Sequence, residues 1–362
     1  MTVLKDILSE AKNLAAVFEK TGAEVVEPDF LQISNVLLDL YGEDIRGRAF
    51  ITNDPVYGEM MLRPDFTIPI VEKHMANSVS PARYTYCGKV FRRQEEFPDR
   101  PREFLQVGYE IFDGANTEKA DAEVFLLVNE ALNGIPVRIA TGDIGILMAA
   151  VRSLSTTETR KNALLRHIWR PNRFRTLLNQ FSGLSTKPYP NRNLEDYNKL
   201  LDKFEIIGSR NVYEIKERLE QINLEAKTDP INPEEVKILD DLLSLKDTCA
   251  VVLGHLEKVS KKMQGIEATV NKFHKRLSYL EKNGMNIDLL DFEGSYGRTS
   301  MEYYDGFVFG FYSETQRNLS PVATGGRYDA LTERIGQGKK IPAVGAILRP
   351  DLTLLLRQNN HD

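Results

Sequence analysis

The sequence feature that most constrains the fold is a pair of long strand-like runs joined by a polar loop. The runs cover residues 83–92 and Glu103–Phe112, and Pro98-Asp99 supplies a turn between them. Two such runs separated by turn residues form an antiparallel hairpin. Shorter strand-like runs flank the hairpin in the sequence, at residues 60–63, 137–141, 303–312 and 343–348. We therefore expect an α+β protein built on a mixed sheet.

One face of the predicted hairpin carries a row of polar groups. Because side chains alternate between the faces of a strand, every second residue of the second run shares one side. These residues are Phe104, Gln106, Gly108 and Glu110, with Arg92 and Gln94 placed to oppose them across the ladder. Buried carboxylates and amides need partners. The row fits either a ligand-binding face or a solvated face with surface ion pairs, and the residues alone leave both open.

An acid and a hydroxyl follow an earlier strand-like run, as Asp65 and Thr67. A carboxylate there could bind an ammonium group, with the threonine donating or accepting beside it. The alternative is that either residue caps a helix running through Ile70 and His74, a common arrangement after proline. Near the carboxyl end, Gly325-Gly326 on its own predicts an ordinary hairpin turn between two strands.

Helical patterns bracket and interrupt the strands. Apolar residues from Leu4 to Phe18 recur at helical spacing and end at Gly22. Residues 151–284 are Leu-rich and charged, and their last segment repeats apolar residues in steps of three and four, typical of one core-facing helix. We therefore expect a core of residues 1–150 and 285–362, interrupted over residues 151–284 by a helical insertion and connecting helices.

Composition excludes several classes of protein. The formal net charge is -5, so a nucleic-acid partner would require a local basic patch. The two cysteines cannot form a disulfide framework, and no histidine or cysteine spacing indicates a metal site. Charged residues near the amino terminus exclude a signal peptide, and no run reaches membrane-spanning length. We expect a cytoplasmic protein without membrane association, metal or cofactor.

Three segments together resemble the histidyl-tRNA synthetases. Residues 91–110 fill every position of the class II motif 2 pattern, Phe-Arg, a loop, then Arg-x-Phe-x-Gln-x-Gly-x-Glu. Residues 62–67 resemble Leu-Arg-Pro-Glu-Gly-Thr, with Asp65 for Glu and Phe66 for Gly, and residues 325–331 resemble Gly-Gly-Arg-Tyr-Asp-Gly-Leu. The resemblance implies a class II aminoacyl-tRNA synthetase-like antiparallel sheet flanked by helices.

The sequence departs from those synthetases where their catalytic arginines stand. Their Arg-Gly-Leu-Asp-Tyr-Tyr element aligns with residues 299–304, so that the first arginine becomes Thr299. The motif 3 arginine becomes Leu352, and Pro350 is expected to interrupt the helix that should carry it. Losing one positioned arginine costs roughly a hundredfold in rate. Neither Arg298 nor Arg349 is expected to substitute.

This combination of retained and lost residues resembles the regulatory subunits of ATP phosphoribosyltransferase. The resemblance implies a non-catalytic subunit that partners a short-form catalytic subunit, which joins ATP and phosphoribosyl pyrophosphate, and that mediates inhibition by histidine. The chain ends shortly after motif 3, so neither an anticodon-binding domain nor tRNA binding is expected. A homodimer paired through the segment around Pro28 is expected, within a hetero-oligomer.

The implied histidine site has assigned roles. Asp65 and Thr67 with Gln106 are expected to hold the amino group, and Arg92 the carboxylate or an adjacent anion. Glu110 with a tyrosine is expected to contact the imidazole. The complete set of expected histidine-binding residues is Asp65, Thr67, Arg92, Gln106, Glu110, Tyr303, Tyr304, Arg327 and Tyr328. Two alternatives stay open: an active histidine-adenylating enzyme like histidyl-tRNA synthetase, and a histidine-binding regulator of another activity.

Overall fold

The structure is a computed structural model that describes most of the chain. The described residues are 4–34, 45–77, 79–94, 100–185, 199, 211–298 and 303–359. They divide into two compact units, one of residues 1–149 and 242–362 and one of residues 150–241. No helix in these ranges is long and apolar enough to cross a membrane.

A nine-stranded sheet forms the centre of the first unit, with strand order β1-β5-β6-β12-β11-β10-β7-β9-β8. Its strands are β1 Glu24–Val25, β5 Ala82–Phe91, β6 Glu103–Phe112, β7 Val137–Asp143, β8 Lys246–Thr248, β9 Asp291–Glu293, β10 Phe307–Ser313, β11 Ala323–Arg327 and β12 Ala343–Leu348. All neighbours are antiparallel except the pairs β1 with β5 and β7 with β9. The predicted mixed, mainly antiparallel sheet is confirmed.

A smaller three-stranded sheet lies in the same unit, in the order β2-β4-β3. Its strands are β2 Leu31–Ile33, β3 Ile51–Asp54 and β4 Gly58–Leu62. Strand β4 leads into the segment that carries Asp65 and Thr67.

Helices of the first unit flank the large sheet. They are α1 Leu4–Glu19, α2 Ile45–Arg48, α3 Thr67–Asn77, α4 Thr117–Ala131, α5 Ile144–Ser153, which runs into the second unit, α10 Cys249–Ser260, α11 Glu267–Lys282, α12 Asp329–Ile335 and α13 Pro350–Asn359. Phe125 of α4 packs against Phe307, Phe309 and Phe311 of β10, with ring centroids 5.2 to 6.1 Å apart. This contact between helix and strand is part of the buried core.

The predicted hairpin is present, with β5 and β6 paired along their whole length. Its alternation separates the two faces of the sheet, as expected. Tyr109 stacks on Phe18 of α1, with ring centroids 5.1 Å apart. Its neighbour Glu110 points to the opposite face, towards the side chains of Tyr86 and Tyr328.

The second unit is helical among its described residues. It contains α6 Glu158–Arg166, α7 Pro171–Phe181, α8 Val212–Lys227 and α9 Pro233–Ser244, whose end passes into the first unit. Arg160 is buried and binds the Glu225 carboxylate at 2.9 Å as well as three main-chain carbonyls at the end of α8. Such a fully bonded arginine fixes α6 against α8.

The structure differs from the expected insertion at its carboxyl end. Residues 242–284 belong to the first unit rather than to a helical insertion, because β8 joins the large sheet and α11 packs on α4. The final predicted helix is also divided, since α10 and α11 are separated by a 3₁₀ turn at Gln264–Ile266. Its apolar repeat is nevertheless buried throughout, from Val259 to Leu280.

Two local expectations at the carboxyl end were wrong. Gly325-Gly326 lies inside β11 rather than in a turn, paired with Phe309 and Val308 of β10 on one side and with β12 on the other. Pro350 does not interrupt a helix but begins α13. Proline is well suited to a first helical position, because its missing N–H would have no helical acceptor there.

Candidate functional site

The carboxylate of Glu110 lies at the centre of the site. It is buried, with 1% of the residue exposed, on the face of β6 opposite α1. Tyr328 donates to Oε2 at 2.6 Å, and Tyr86 and Thr67 donate to Oε1 at 3.2 and 3.3 Å. Three hydroxyl donors thus hold one buried carboxylate in a fixed orientation.

Two glycines make room for this arrangement. Gly345 of β12 lies directly opposite Glu110, and a Cβ there would overlap the Glu110 carboxylate. Gly108 lies directly opposite Tyr86, and a Cβ there would overlap the phenol ring. The side chains of Glu110 and Tyr86 therefore each extend over a neighbouring strand, at a position where only glycine leaves room for them.

The polar face lines a small cavity of about 50 Å³. Every residue expected to bind histidine contributes to this lining except Arg327. The lining residues are Asp65, Thr67, Arg92, Gln106, Glu110, Tyr303, Tyr304, Thr324, Tyr328, Gly345, Ala346 and Ile347. The structure thus brings together side chains that are separated by up to 263 positions in the sequence, from Asp65 to Tyr328.

Gln106 is buried at the wall of this cavity, with 1% of the residue exposed. Neither its amide nitrogen nor its amide oxygen has a hydrogen-bond partner among the described residues. A buried amide without partners costs roughly 1–3 kcal/mol, which makes Gln106 a candidate for contact with a ligand in the cavity.

A larger cavity of about 440 Å³ adjoins the small one. The two share Arg92, Gln106, Tyr304, Thr324 and Ile347 in their linings. The two cavities therefore adjoin at these five side chains.

Two oppositely charged residues, Arg349 and Asp351, help to line the larger cavity. The Arg349 guanidinium lies over the Phe104 ring, 3.8 Å from its centroid, and donates to both carboxylate oxygens of Asp351. Leu352, at the expected position of the motif 3 arginine, lines the same cavity. Thr299, at the other lost position, lies outside the described residues, and Arg298 is buried and lines neither cavity.

Arg327 points away from the cavity. Its guanidinium binds Asp121 of α4, Asp329 and the carbonyl of Thr117, on the helix side of the sheet. Sequence reasoning also missed Tyr86, which donates to Glu110. The pairing of this tyrosine with Gly108 could have been found by counting the hairpin register back from the turn.

Burial shapes the electrostatics of the site. It raises the pKa of Glu110 from 4.5 to about 7; the donors Tyr328, Tyr86 and Thr67 oppose this rise, whereas the negative charge of Asp65 adds to it. Burial, together with the Glu110 charge, also raises the pKa of Tyr86 and Tyr328 well above 10. The tyrosines therefore stay protonated donors, and the two acids Glu110 and Asp65 line one small cavity together with Arg92.

The raised pKa of Glu110 predicts a pH-dependent stability. The folded state holds this proton more tightly than the unfolded chain, so stability is lost as the pH rises from 4.5 to about 7. The loss attributable to this group is about 3 kcal/mol. Glu110→Gln should remove this pH dependence of stability. In urea unfolding at pH 8 the variant should be more stable than wild type by up to about 3 kcal/mol, whereas at pH 4.5 it should not be more stable.

An exposed acid on the same strand provides the control for this experiment. Glu103→Gln should change the free energy of unfolding by no more than about 0.5 kcal/mol at either pH. If wild type and Glu110→Gln lose stability equally between the two pH values, Glu110 does not hold the proton.

The fold and the site together define a class II aminoacyl-tRNA synthetase-like protein. A family model described as histidyl-tRNA synthetase matches residues 5–187 and 193–351. The chain therefore belongs to the histidyl-tRNA synthetase family, as the three sequence segments predicted.

Curated relatives share most of the chain. It is 28% identical over 351 residues to an ATP phosphoribosyltransferase regulatory subunit of Brucella canis, covering 89% of this chain and 90% of the relative. A protein of the same name from Rhizobium rhizogenes is 26% identical over 373 residues, covering 95% and 96%. The predicted resemblance to these regulatory subunits is confirmed.

Solved structures share the fold. A Bacillus halodurans protein described as an ATP phosphoribosyltransferase regulatory subunit/histidyl-tRNA synthetase superposes with a TM-score of 0.67 at 22% identity, covering 97% of this chain and 79% of that chain. A histidyl-tRNA synthetase from Nostoc superposes with a TM-score of 0.63 at 18% identity, covering 98% and 72%. These matches confirm the class II synthetase-like architecture.

Proposed function

We propose that the chain is a regulatory subunit that binds histidine and controls a short-form ATP phosphoribosyltransferase. The observation that carries this proposal is a complete polar site around Glu110 beside a cavity that has Leu352 where a synthetase has its motif 3 arginine. The Brucella and Rhizobium relatives, which are named as regulatory subunits, support the same function. In this proposal the chain retains the recognition of histidine and has lost its adenylation.

Histidine matches the charged and polar groups that line the small cavity. Its imidazole places a donor against Glu110, whose carboxylate is fixed by Tyr328 and Tyr86. Its amino group lies near Asp65, Thr67 and Gln106, and its carboxylate extends towards Arg92 at the entrance to the larger cavity. A ring without nitrogen donors would add no hydrogen bond to the Glu110 carboxylate beyond those from Tyr328, Tyr86 and Thr67, so the site favours imidazole over such a ring.

The larger cavity lacks a charge at the motif 3 position, although Arg92 and Arg100 line it. Leu352 supplies no charge, and the Arg349 guanidinium is paired with Asp351 and lies over the Phe104 ring. Adenylate formation develops negative charge on phosphate, which positioned cations must stabilise. This pairing supports a subunit without catalysis of its own, over the alternative of a histidine-adenylating enzyme.

The purified chain should therefore show no histidine-dependent pyrophosphate exchange. Leu352→Arg alone should not create the activity, because Thr299 stands at the second arginine position. A histidyl-tRNA synthetase assayed in parallel serves as the positive control. Exchange above background in the wild-type chain would establish the adenylating alternative.

A homodimer is proposed through the small sheet near Pro28. Apolar side chains of this region are exposed in the single chain, namely Phe30, Leu31, Ile33 and Ile51. A cluster of exposed apolar residues on a sheet is typical of an interface between subunits.

The partnership is tested by mixing the chain with a short-form catalytic subunit. Product formation from ATP and phosphoribosyl pyrophosphate should rise when the chain is added. A catalytic subunit that is fully active alone and unaffected by the chain would contradict the proposed partner and favour a histidine-binding regulator of another activity.

A further inference from the structure

A buried network of charges lies on the opposite face of the sheet from the cavity. Its members are Asp121 of α4, Asp143 at the end of β7, Arg276 of α11, Arg327 at the end of β11, and Asp329, which begins α12. All except Asp329 are buried. Buried ion pairs contribute little net stability when compared with apolar packing, so a buried network of this size calls for another explanation.

Asp121 is the shared acceptor of this network. It accepts from Arg327 Nε at 2.9 Å and from Arg276 at 3.2 Å, and Arg276 reaches Asp143 at 2.7 Å. Arg327 further donates to Asp329 at 2.9 Å and to the Thr117 carbonyl at 2.8 Å. The planar guanidinium of Arg327 is therefore fixed in both position and orientation.

The next residue along the chain is Tyr328, which faces the site. Its hydroxyl donates to Glu110 at 2.6 Å, and its main-chain N–H donates to Ala343 at 2.9 Å. Because neighbouring residues here point to opposite faces, anchoring Arg327 on the helix side sets the position of Tyr328 on the cavity side. A shift of about 0.5 Å is enough to spoil a site of this kind.

We propose that Arg327, held by Asp121, is a positioning residue: it sets the Tyr328 hydroxyl on Glu110 and so controls imidazole recognition from outside the cavity. This inference rests on the proposed histidine site. It reassigns Arg327, which the sequence placed among the residues that touch the ligand.

The test measures the affinities of histidine and of histidinol, which lacks the carboxylate, by calorimetry. Arg327→Lys should weaken both ligands by the same factor, about tenfold, because the imidazole contact is common to both. In a Tyr328→Phe background the same substitution should change either affinity less than twofold, because the hydroxyl it positions is absent.

Arg357 provides a matched control arginine. It donates from Nε to Glu10 and from its other nitrogens to the Ala131 and Asn133 carbonyls, each at 2.9 Å, and lines neither cavity. Arg357→Lys should lower the midpoint of thermal unfolding and leave both affinities unchanged. If Arg327→Lys does not fold, Asp121→Asn, which removes the carboxylate shared with Arg276, is compared instead.

Three results would overturn the inference. The first is unchanged affinity in a folded Arg327→Lys chain. The second is a loss of affinity for histidine but not for histidinol, which would indicate that Arg327 contacts the carboxylate. The third is that the effects of Arg327→Lys and Tyr328→Phe on affinity are additive. A wild-type chain that binds neither ligand would instead refute the proposed function, and this inference with it.

Discussion

Replacing Gly345 with alanine should abolish histidine binding, with an affinity loss on the order of 100-fold or more. The added Cβ would overlap the Glu110 carboxylate and displace it from the hydroxyls of Tyr328, Tyr86 and Thr67 that hold it. Overpacking a buried position also costs about 1–3 kcal/mol in stability. Calorimetry and urea unfolding measure the two effects separately.

Gly254 provides the matched control for this substitution. It lies within α10, and nothing lies within 4 Å of where its Cβ would be. Gly254→Ala should therefore stabilise the chain by about 0.5–1 kcal/mol, by the helix preference for alanine, without changing histidine affinity. A Gly345→Ala chain that binds histidine as tightly as wild type would show that Glu110 is not held as described.

Truncating Glu110 to alanine should weaken histidine binding on the order of 100-fold, because a hydrogen bond from imidazole to a buried carboxylate is lost. Tyr328, Tyr86 and Thr67 would also lose their shared acceptor. The effect should be largest for histidine and small for amino acids that carry no ring donor. Undiminished histidine affinity would refute the imidazole assignment.

The control for this prediction is the exposed end of the same strand. Glu103 lies on β6 and pairs with Lys89 in solvent. Because exposed ion pairs contribute little, Glu103→Ala should bind histidine as wild type does. A similar loss in both variants would indicate damage to the hairpin rather than to the site.

The hairpin could be predicted from sequence because its information is local. The two runs and their turn determine which residues of β6 share a face, and this alternation placed Gln106 and Glu110 together correctly. The role of Gly345 could not be read in the same way. It depends on β12 pairing beside β6, a contact between segments more than 200 positions apart.

Two predictions from the sequence were wrong because they depend on strand pairing and side-chain direction, which local sequence shows only in part. Gly325-Gly326 carries the composition of a turn, yet β10 and β12 pair on both sides of it, and pairing overrides the local preference of glycine. Arg327 and Tyr328 were both placed against histidine, although neighbours in an extended chain face opposite ways. Motif resemblance identified the pair but not which of the two faces the cavity.

The carboxyl end of the predicted insertion could not be located from local sequence either. Residues 242–284 share the helical, charged character of the segment before them, so composition gives no boundary. Their membership of the first unit follows from β8 joining the sheet edge and from Arg276 reaching Asp121 and Asp143. Both contacts are long-range and leave no periodic signal in the sequence.

Histidine bound at Glu110 is proposed to control the activity of a partner subunit. The most direct measurement is a histidine titration of product formation by a short-form catalytic subunit mixed with this chain, wild type or Glu110→Ala. We predict that histidine inhibits the wild-type complex, and that the Glu110→Ala complex stays active and needs on the order of 100-fold more histidine for the same inhibition. Equal inhibition of the two complexes would contradict this account.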